Sequence, residues 1–222
     1  MTKHYFSLSS FFLITSIILS GCATKPDSSL KSDNKIVTSE QRSEELLKNK
    51  KWQLKGKIAF IQKVKNNEGI KDKRESASII WQVNENKQTQ ELNLTSYLGI
   101  NVLQLKSNQD QHLIKVDGKE YRGTNLSQLI YSLTGLPLPT EALNFWLKGL
   151  PYKADDVLKT DEKTQLPKSM SSHYHNALWQ INYGNYQRFD GFNMATKFTI
   201  KKENLLIKVA IKNWSLFDYE AN

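Results

Sequence analysis

Glu91-Leu92-Asn93-Leu94-Thr95-Ser96-Tyr97-Leu98-Gly99-Ile100-Asn101-Val102-Leu103-Gln104-Leu105 reads as two short strands joined by a tight turn. Leu92 and Leu94 alternate with polar neighbours, so both point to one face of a strand. Gly99 supplies the permissive backbone that a tight turn needs. The descending limb breaks parity, with Ile100 and Val102 on one face and Leu103 and Leu105 on the other. That break predicts either a bulge or an outward-facing top to the limb. At the tip, where an ordinary solvent loop is polar, stand Tyr97 and Leu98. Such a pair either folds back under the protein or reaches something apolar outside it.

The same period of two extends outward in both directions. Upstream, Trp52, Leu54, Ile58 and Phe60 fall on one parity, and Ala77, Ile79, Trp81 and Val83 return on a second strand. Between them Lys63–Glu75 reads as a long charged excursion around Gly69. Downstream, Ile114 and Val116 lead into Asp117-Gly118, a two-residue hairpin signal, with Tyr121 on the return. Trp179, Ile181 and Tyr183 alternate, as do Met194, Thr196, Phe198 and Ile200. Leu205, Ile207, Val209 and Ile211 form a last strand ending near Trp214. Residues 155–172 are poorly patterned and read as short strands and turns.

Three segments change to helical spacing. Thr38-Ser39-Glu40-Gln41 is a capping box, followed by acids before lysines as a helix dipole favours. Thr124 or Asn125 caps a segment carrying Leu126, Leu129, Ile130 and Leu133, which Gly135 ends. After Pro137 and Pro139 a second short helix carries Leu143, Trp146, Leu147 and Leu150. Two helices inserted among strands, each apolar on one stripe, predict a lid on a single antiparallel sheet or barrel.

The front of the chain decides the compartment. Lys3 and His4 precede an apolar run through Leu19, the shape of a secretory signal and too short for a spanning helix. It ends in Leu19-Ser20-Gly21-Cys22, which matches the bacterial lipobox, so Cys22 is the expected lipidation site. Cys22 is also the only cysteine, so no disulfide forms within the chain. Ala23 in place of Asp resembles an outer-membrane sorting signal. The expected organisation is a signal peptide over 1–21, a lipidated N-terminus and flexible tether over 22–37, and one domain over 38–222. The net charge of +9 suits anionic lipid as well as nucleic acid, and an exported, anchored chain excludes the nucleic-acid reading.

Enzyme chemistry finds little support. There is no nucleophile elbow, phosphate loop, dinucleotide fingerprint or His-Glu-x-x-His. His173-x-His175 has only Asp155, Asp156, Asp161 and Glu162 nearby in the chain, and reads as surface histidines beside a turn. No metal and no cofactor are expected. The charged residues of 63–75 mix both signs and read as solvated.

Sheet and lid together predict a hydrophobic cavity. The inward face of the strands carries Trp52, Leu54, Ile58, Phe60, Ile79, Trp81, Leu92 and Leu94. The lid adds Leu126, Leu129, Ile130, Leu133, Leu143 and Trp146. A curved sheet capped this way can leave apolar volume unfilled.

From Trp52 to Trp214 the chain resembles the outer-membrane lipoprotein receptor family LolB. The resemblance rests on Gly56-Lys57-Ile58-Ala59, Ser76-Ala77 leading to Trp81, and the hairpin Leu92-x-Leu94-x-Ser96-Tyr97-Leu98-Gly99. It continues in Asp117-Gly118-Lys119-x-Tyr121, Thr134-Gly135-Leu136-Pro137-Leu138-Pro139 and Trp146-Leu147-x-Gly149-Leu150-Pro151. Trp179-x-Ile181-x-Tyr183 and Ile207-Lys208 through Trp214 complete it. The resemblance implies a mainly β fold with a helical lid, an unclosed antiparallel half-barrel enclosing a hydrophobic cavity, and makes that cavity the expected acyl-chain cavity. It implies a receptor on the periplasmic face of the outer membrane, acting as a monomer. That receptor takes lipidated cargo proteins from a soluble periplasmic LolA-like carrier and places them among outer-membrane phospholipid. The tip Tyr97, Leu98 and Gly99 becomes the expected membrane-insertion loop, with Leu98 driving release. Tyr97 departs from the family, which often has proline there. The competing reading is an assembly lipoprotein of the cell envelope with a filled core and no transfer activity.

Overall fold

Period-two alternation becomes strand throughout the chain. The computed structural model describes residues 38–66, 69–135 and 138–217, all within one compact unit, Asn34–Asn222. The signal, Cys22 and the tether lie outside the described residues.

Helix α1, Ser39–Lys48, opens on the expected capping box. The Gln41 N–H donates to Thr38 Oγ1, and Gln41 Oε1 accepts from the Thr38 N–H, each at 3.2 Å. Six strands follow in meander order: β1 Lys51–Asn66, β2 Gly69–Asn84, β3 Thr89–Thr95, β4 Asn101–Asn108, β5 Gln111–Val116 and β6 Lys119–Gly123. The lid comes next, as α2 Leu126–Thr134 and α3 Thr140–Trp146. Five more strands close the chain: β7 Val157–Thr160, β8 Pro167–Tyr174, β9 Ala177–Phe189, β10 Phe192–Lys202 and β11 Leu205–Phe217. All pair antiparallel in one 11-stranded sheet of order β6-β5-β4-β3-β2-β1-β11-β10-β9-β8-β7. The first and last strands therefore meet in the middle, and β6 and β7 remain unpaired edges. The sheet is a half-barrel that does not close.

The long charged excursion is corrected. Residues 63–66 and 69–75 are not a loop but the outer half of the β1–β2 ribbon, in register from Lys51↔Asn84 to Asn66↔Gly69. The pairing of β1 with β11 stops at Gln62↔Leu205, and β3 joins β2 only from Ser78. Beyond those points β1 and β2 pair chiefly with each other, and the Lys63 N–H still donates to Asn204 O at 3.0 Å. The last strand also runs past Trp214 to Phe217.

Where β1 meets β11 the register shifts between Lys55 and Gly56. A Cβ at Gly56 would run into the carbonyl oxygen of Ala210, so the close central seam requires glycine. Inward-facing side chains of both halves and the lid form one apolar cluster. At its heart Trp52 lies 5.6 Å from Trp81 and 5.7 Å from Trp214, ring centre to ring centre. Rings packed at these separations contribute beyond the area they bury.

Candidate functional site

The β3–β4 turn is closed by its own backbone. The Gly99 N–H donates to Ser96 O at 3.0 Å, and the Ser96 N–H donates to Ile100 O at 2.8 Å. Gly99 sits at φ +76° with nothing within 4 Å of where a Cβ would be, so its constraint is conformational. Neither bond uses the side chains of Tyr97 or Leu98. Those two are 98 % and 79 % exposed, and Ile100 is 64 % exposed.

Both expectations for the descending limb hold together. Leu94 pairs with Leu103 and Thr95 with Asn101, leaving Val102 as a bulge residue. The bulge turns Leu103 and Leu105 into the core, while Ile100 and Val102 stay outside. The exposed apolar surface is thus longer than the tip pair. The parity break in the sequence is its signal.

The lid is held over the sheet by its own sequence. Asn125 caps α2, its Oδ1 accepting from the Gln128 N–H at 2.8 Å, and Gly135 ends it at φ 68°. Of the residues expected to line the cavity, Trp52, Leu54, Phe60, Ile79, Trp81, Leu92, Leu94, Leu126, Ile130, Leu143 and Trp146 are buried in the common cluster. Ile58, Leu129 and Leu133 are half-buried against it. Open volume meets the cluster at Val83, Leu126, Leu138, Tyr174 and Trp179, so of the expected cavity residues Leu126 alone lines any of the three clefts around it. One cleft of about 240 Å³ lies between α2 and the β8–β9 end of the sheet, against Tyr131, Leu138, Pro139, Tyr174 and Trp179. A second, of about 720 Å³, opens at the N-terminal ends of α2 and α3, with Glu85, Gln90, Asp110, Asn125 and Asn144 on its wall. A third, of about 600 Å³, runs along β3–β6 and contains Gln90, Lys106, His112 and Arg122.

Polar groups near these clefts serve structure. Tyr152 and Tyr174 hydroxyls donate to Glu141 at 3.1 and 3.3 Å. Burial, with the Glu141 charge added, pushes the Tyr174 phenol well above its ordinary range. Burial also raises the Tyr183 phenol well above its ordinary range. Ser107 Oγ lies 2.7 Å from His112 Nδ1. His173 and His175 are exposed; His175 stacks on Tyr174 at 4.0 Å in the β8–β9 turn. Among the described residues no group of three or more His, Cys, Asp or Glu is placed to hold a metal ion.

A feature missed in the sequence lies at the other end of β3 from the tip. Lys148, 1 % exposed, sits behind the lid with its Nζ 2.9 Å from Glu85. Arg42 of α1 is buried too, donating to Lys148 O at 3.0 Å and Asn193 O at 3.3 Å. Desolvation holds both cations below their ordinary pKa values, with Glu85 opposing it at Lys148. These contacts tie α1, the end of the lid and β10 together.

With that geometry in place, comparison with known proteins is decisive. The family model described as outer membrane lipoprotein LolB matches residues 50–214. This chain belongs to the LolB family. The outer-membrane lipoprotein LolB of Tolumonas auensis is 32 % identical over 201 residues, covering 90 % of this chain and 92 % of that one. The LolB of Pseudoalteromonas translucida is 30 % identical over 214 residues, covering 96 % and 95 %. Among solved structures, a DUF1329 family protein from Desulfovibrio piger superposes with a TM-score of 0.51 at 10 % identity. It covers 83 % of this chain and 92 % of its own, a likeness of fold. The open antiparallel half-barrel with its lid is the fold that the LolB resemblance implied.

Proposed function

We propose that this protein accepts lipid-modified proteins from a soluble LolA-like periplasmic carrier and inserts them into the inner leaflet of the outer membrane. The observation that carries the reading is the exposed apolar tip, Tyr97-Leu98, in a LolB-family chain whose apolar interior lies under a lid. Lipidated Cys22 holds the protein at the membrane, and the protein works as a monomer. An acyl chain of about fifteen methylenes costs on the order of 12 kcal/mol to expose to water. Cargo therefore needs apolar surface at every stage, first on the carrier, then here, then in phospholipid.

In this reading acyl chains enter between lid and sheet. Leu129, Leu133 and Ile58, half-buried at that seam, are met first. Trp52, Leu54, Phe60, Ile79, Trp81, Leu92 and Leu94 line the sheet side; Leu126, Ile130, Leu143 and Trp146 line the lid side. Passage requires the lid to lift, and the entering chains replace the apolar contacts that the lid gives up. No covalent step is needed, so no catalytic residue is assigned. Burying Leu98 in lipid stabilises the engaged state by about 1.5–3 kcal/mol, small beside the anchor. Leu98 therefore opens the bilayer for cargo, and Cys22 does the holding.

The test is transfer of a lipidated protein from the carrier to the mature, anchored receptor in phospholipid vesicles. Cargo should leave the carrier, appear on the receptor and then partition into the bilayer. Cargo that stays on the carrier, with the receptor folded, overturns the proposal.

A further inference from the structure

The three strands at the middle of the sheet, β1, β11 and β10, contain ten lysines and not one Asp or Glu. On the convex side, away from the lid, their registers gather four of these lysines. Lys57 pairs with Ala210, which pairs with Lys197. One row further along each strand, Ala59 pairs with Lys208, and Lys208 with Thr199; one row further again, Ile61 pairs with Leu206 and Leu206 with Lys201. Lys208 is thus diagonal to Lys57, Lys197 and Lys201, at about 7–8 Å in an ordinary antiparallel sheet. Lys55 and Lys212 extend the face toward the far end. All six are exposed, and none is within ion-pair distance of a described carboxylate.

Like charges gathered on one face within a Debye length of about 8–10 Å repel one another. Elsewhere in the sheet several cations are neutralised by neighbouring acids: Lys106 by Glu91, and Lys115 and Arg122 by Glu120. Here the spaces between lysines hold small or apolar side chains, Ala59, Ala210, Thr199 and the half-buried Ile61 and Leu206. Ile80, 42 % exposed, stands on the same face beside Lys55. The same registers carry the row of Lys57 through Ser78 to Thr95, the last β3 residue before the Tyr97-Leu98 turn. Cations, short spacers and scattered apolar side chains on one face suit a bilayer surface, where phosphates meet the ammonium groups and the apolar side chains reach the interface.

We propose that the convex face of β1, β11 and β10 docks on an anionic phospholipid surface, through Lys57, Lys197, Lys201 and Lys208. Docked in this way, the receptor lies on its back against the leaflet it is anchored in, with the lid turned toward the periplasm. This rests on the membrane-anchored reading above but not on cargo transfer. Each lysine held at an anionic surface is worth roughly a fivefold change in the docked-to-undocked ratio.

The experiment uses the mature lipidated protein in vesicles of phosphatidylcholine alone or mixed with phosphatidylglycerol. An environment-sensitive fluorophore is placed at Ser78→Cys on the convex face or at Ser132→Cys on the lid, and quenched by spin-labelled lipid. Quenching at position 78 should appear only with phosphatidylglycerol and vanish at 1 M salt, where screening lengths fall to about 3 Å. It should also vanish in K57Q/K197Q/K201Q/K208Q, whose docking ratio falls by roughly two to three orders of magnitude. Position 132 should stay unquenched throughout. A control with four scattered changes, K48Q/K87Q/K119Q/K159Q, loses the same net charge and should keep the quenching. Equal loss in the control, quenching at position 132 instead, or a convex face that responds to added carrier and not to anionic lipid would each overturn the proposal. Cargo uptake measured alongside separates the two readings: uptake can fail with docking intact, and docking can fail with uptake intact.

Discussion

Residues stand on the wrong side of the surface at both ends of β3, and only one end accounts for itself. At the start of the strand, charges are inside. Lys148 and Arg42 are buried, but Lys148 meets Glu85, and Arg42 meets the carbonyls of Lys148 and Asn193. At the other end, apolar side chains are outside. The side chains of Tyr97, Leu98 and Ile100 take no part in the bonds that close their turn. The buried charges are resolved within the fold, so their role is to hold α1, the lid end and β10 together. The exposed apolar tip meets no partner among the described residues, as the proposed insertion loop requires. The neighbouring β5–β6 turn makes the same point: Asp117 and Gly118, at φ 49° and 75°, close it with polar residues alone.

Breaking the buried end should cost most. Glu85→Gln leaves Lys148 inside without a counter-charge. We expect a loss of roughly 2–3 kcal/mol, less than for a fully buried pair because Glu85 is partly exposed; urea unfolding measures it. Arg42→Met, which orphans two carbonyls but removes a buried cation, should cost about 1–2 kcal/mol. The pH dependence of the same end has a definite sign. Burial lowers the folded-state pKa of Lys148, so between that value and the ordinary lysine range the unfolded chain binds more protons. Stability from this group therefore rises with pH across that alkaline window. Buried tyrosines with raised pKa values pull the other way, so the measurement is the difference: the urea midpoint of the wild type should rise with pH relative to that of Lys148→Met across this window.

At the tip the stability effects should be smaller. Gly99→Ala and Gly118→Ala each force a side chain into a left-handed backbone and should cost about 1 kcal/mol, nearly equally. Only the change at 99 should also slow cargo insertion. Tyr97→Ser should move stability by less than about 0.5 kcal/mol, as a surface change that touches no structural bond. A large loss there would mean that the tip belongs to the fold after all.

Much of this was legible in the sequence wherever one face of an element is buried. Trp52 through Phe60, Ala77 through Val83 and Leu205 through Ile211 announced strands by alternation, and the two lid helices by spacing and caps. The β1–β2 ribbon beyond Gln62 is hidden from the sequence because both of its faces are polar or solvated, which erases the alternation. Lys148, set in Trp146-Leu147-Lys148-Gly149-Leu150, gives no local sign of its burial, since Glu85 arrives from the β2–β3 turn. Arg42 was hidden in the same way, on a helix with few apolar residues. The tip was visible at once because Tyr-Leu contradicts the chemistry of a turn. The convex lysine face was present as lysines without acids, but only pairing between distant strands brings them together.

The most direct measurement is vesicle insertion of a lipidated cargo by the Leu98→Glu receptor, beside its thermal unfolding and its uptake of cargo from the carrier. Unfolding and uptake should match the wild type, while insertion falls roughly 10- to 100-fold, the equivalent of losing the burial of one leucine in lipid. Insertion at the wild-type rate by a folded Leu98→Glu receptor would contradict the assignment of the tip to delivery.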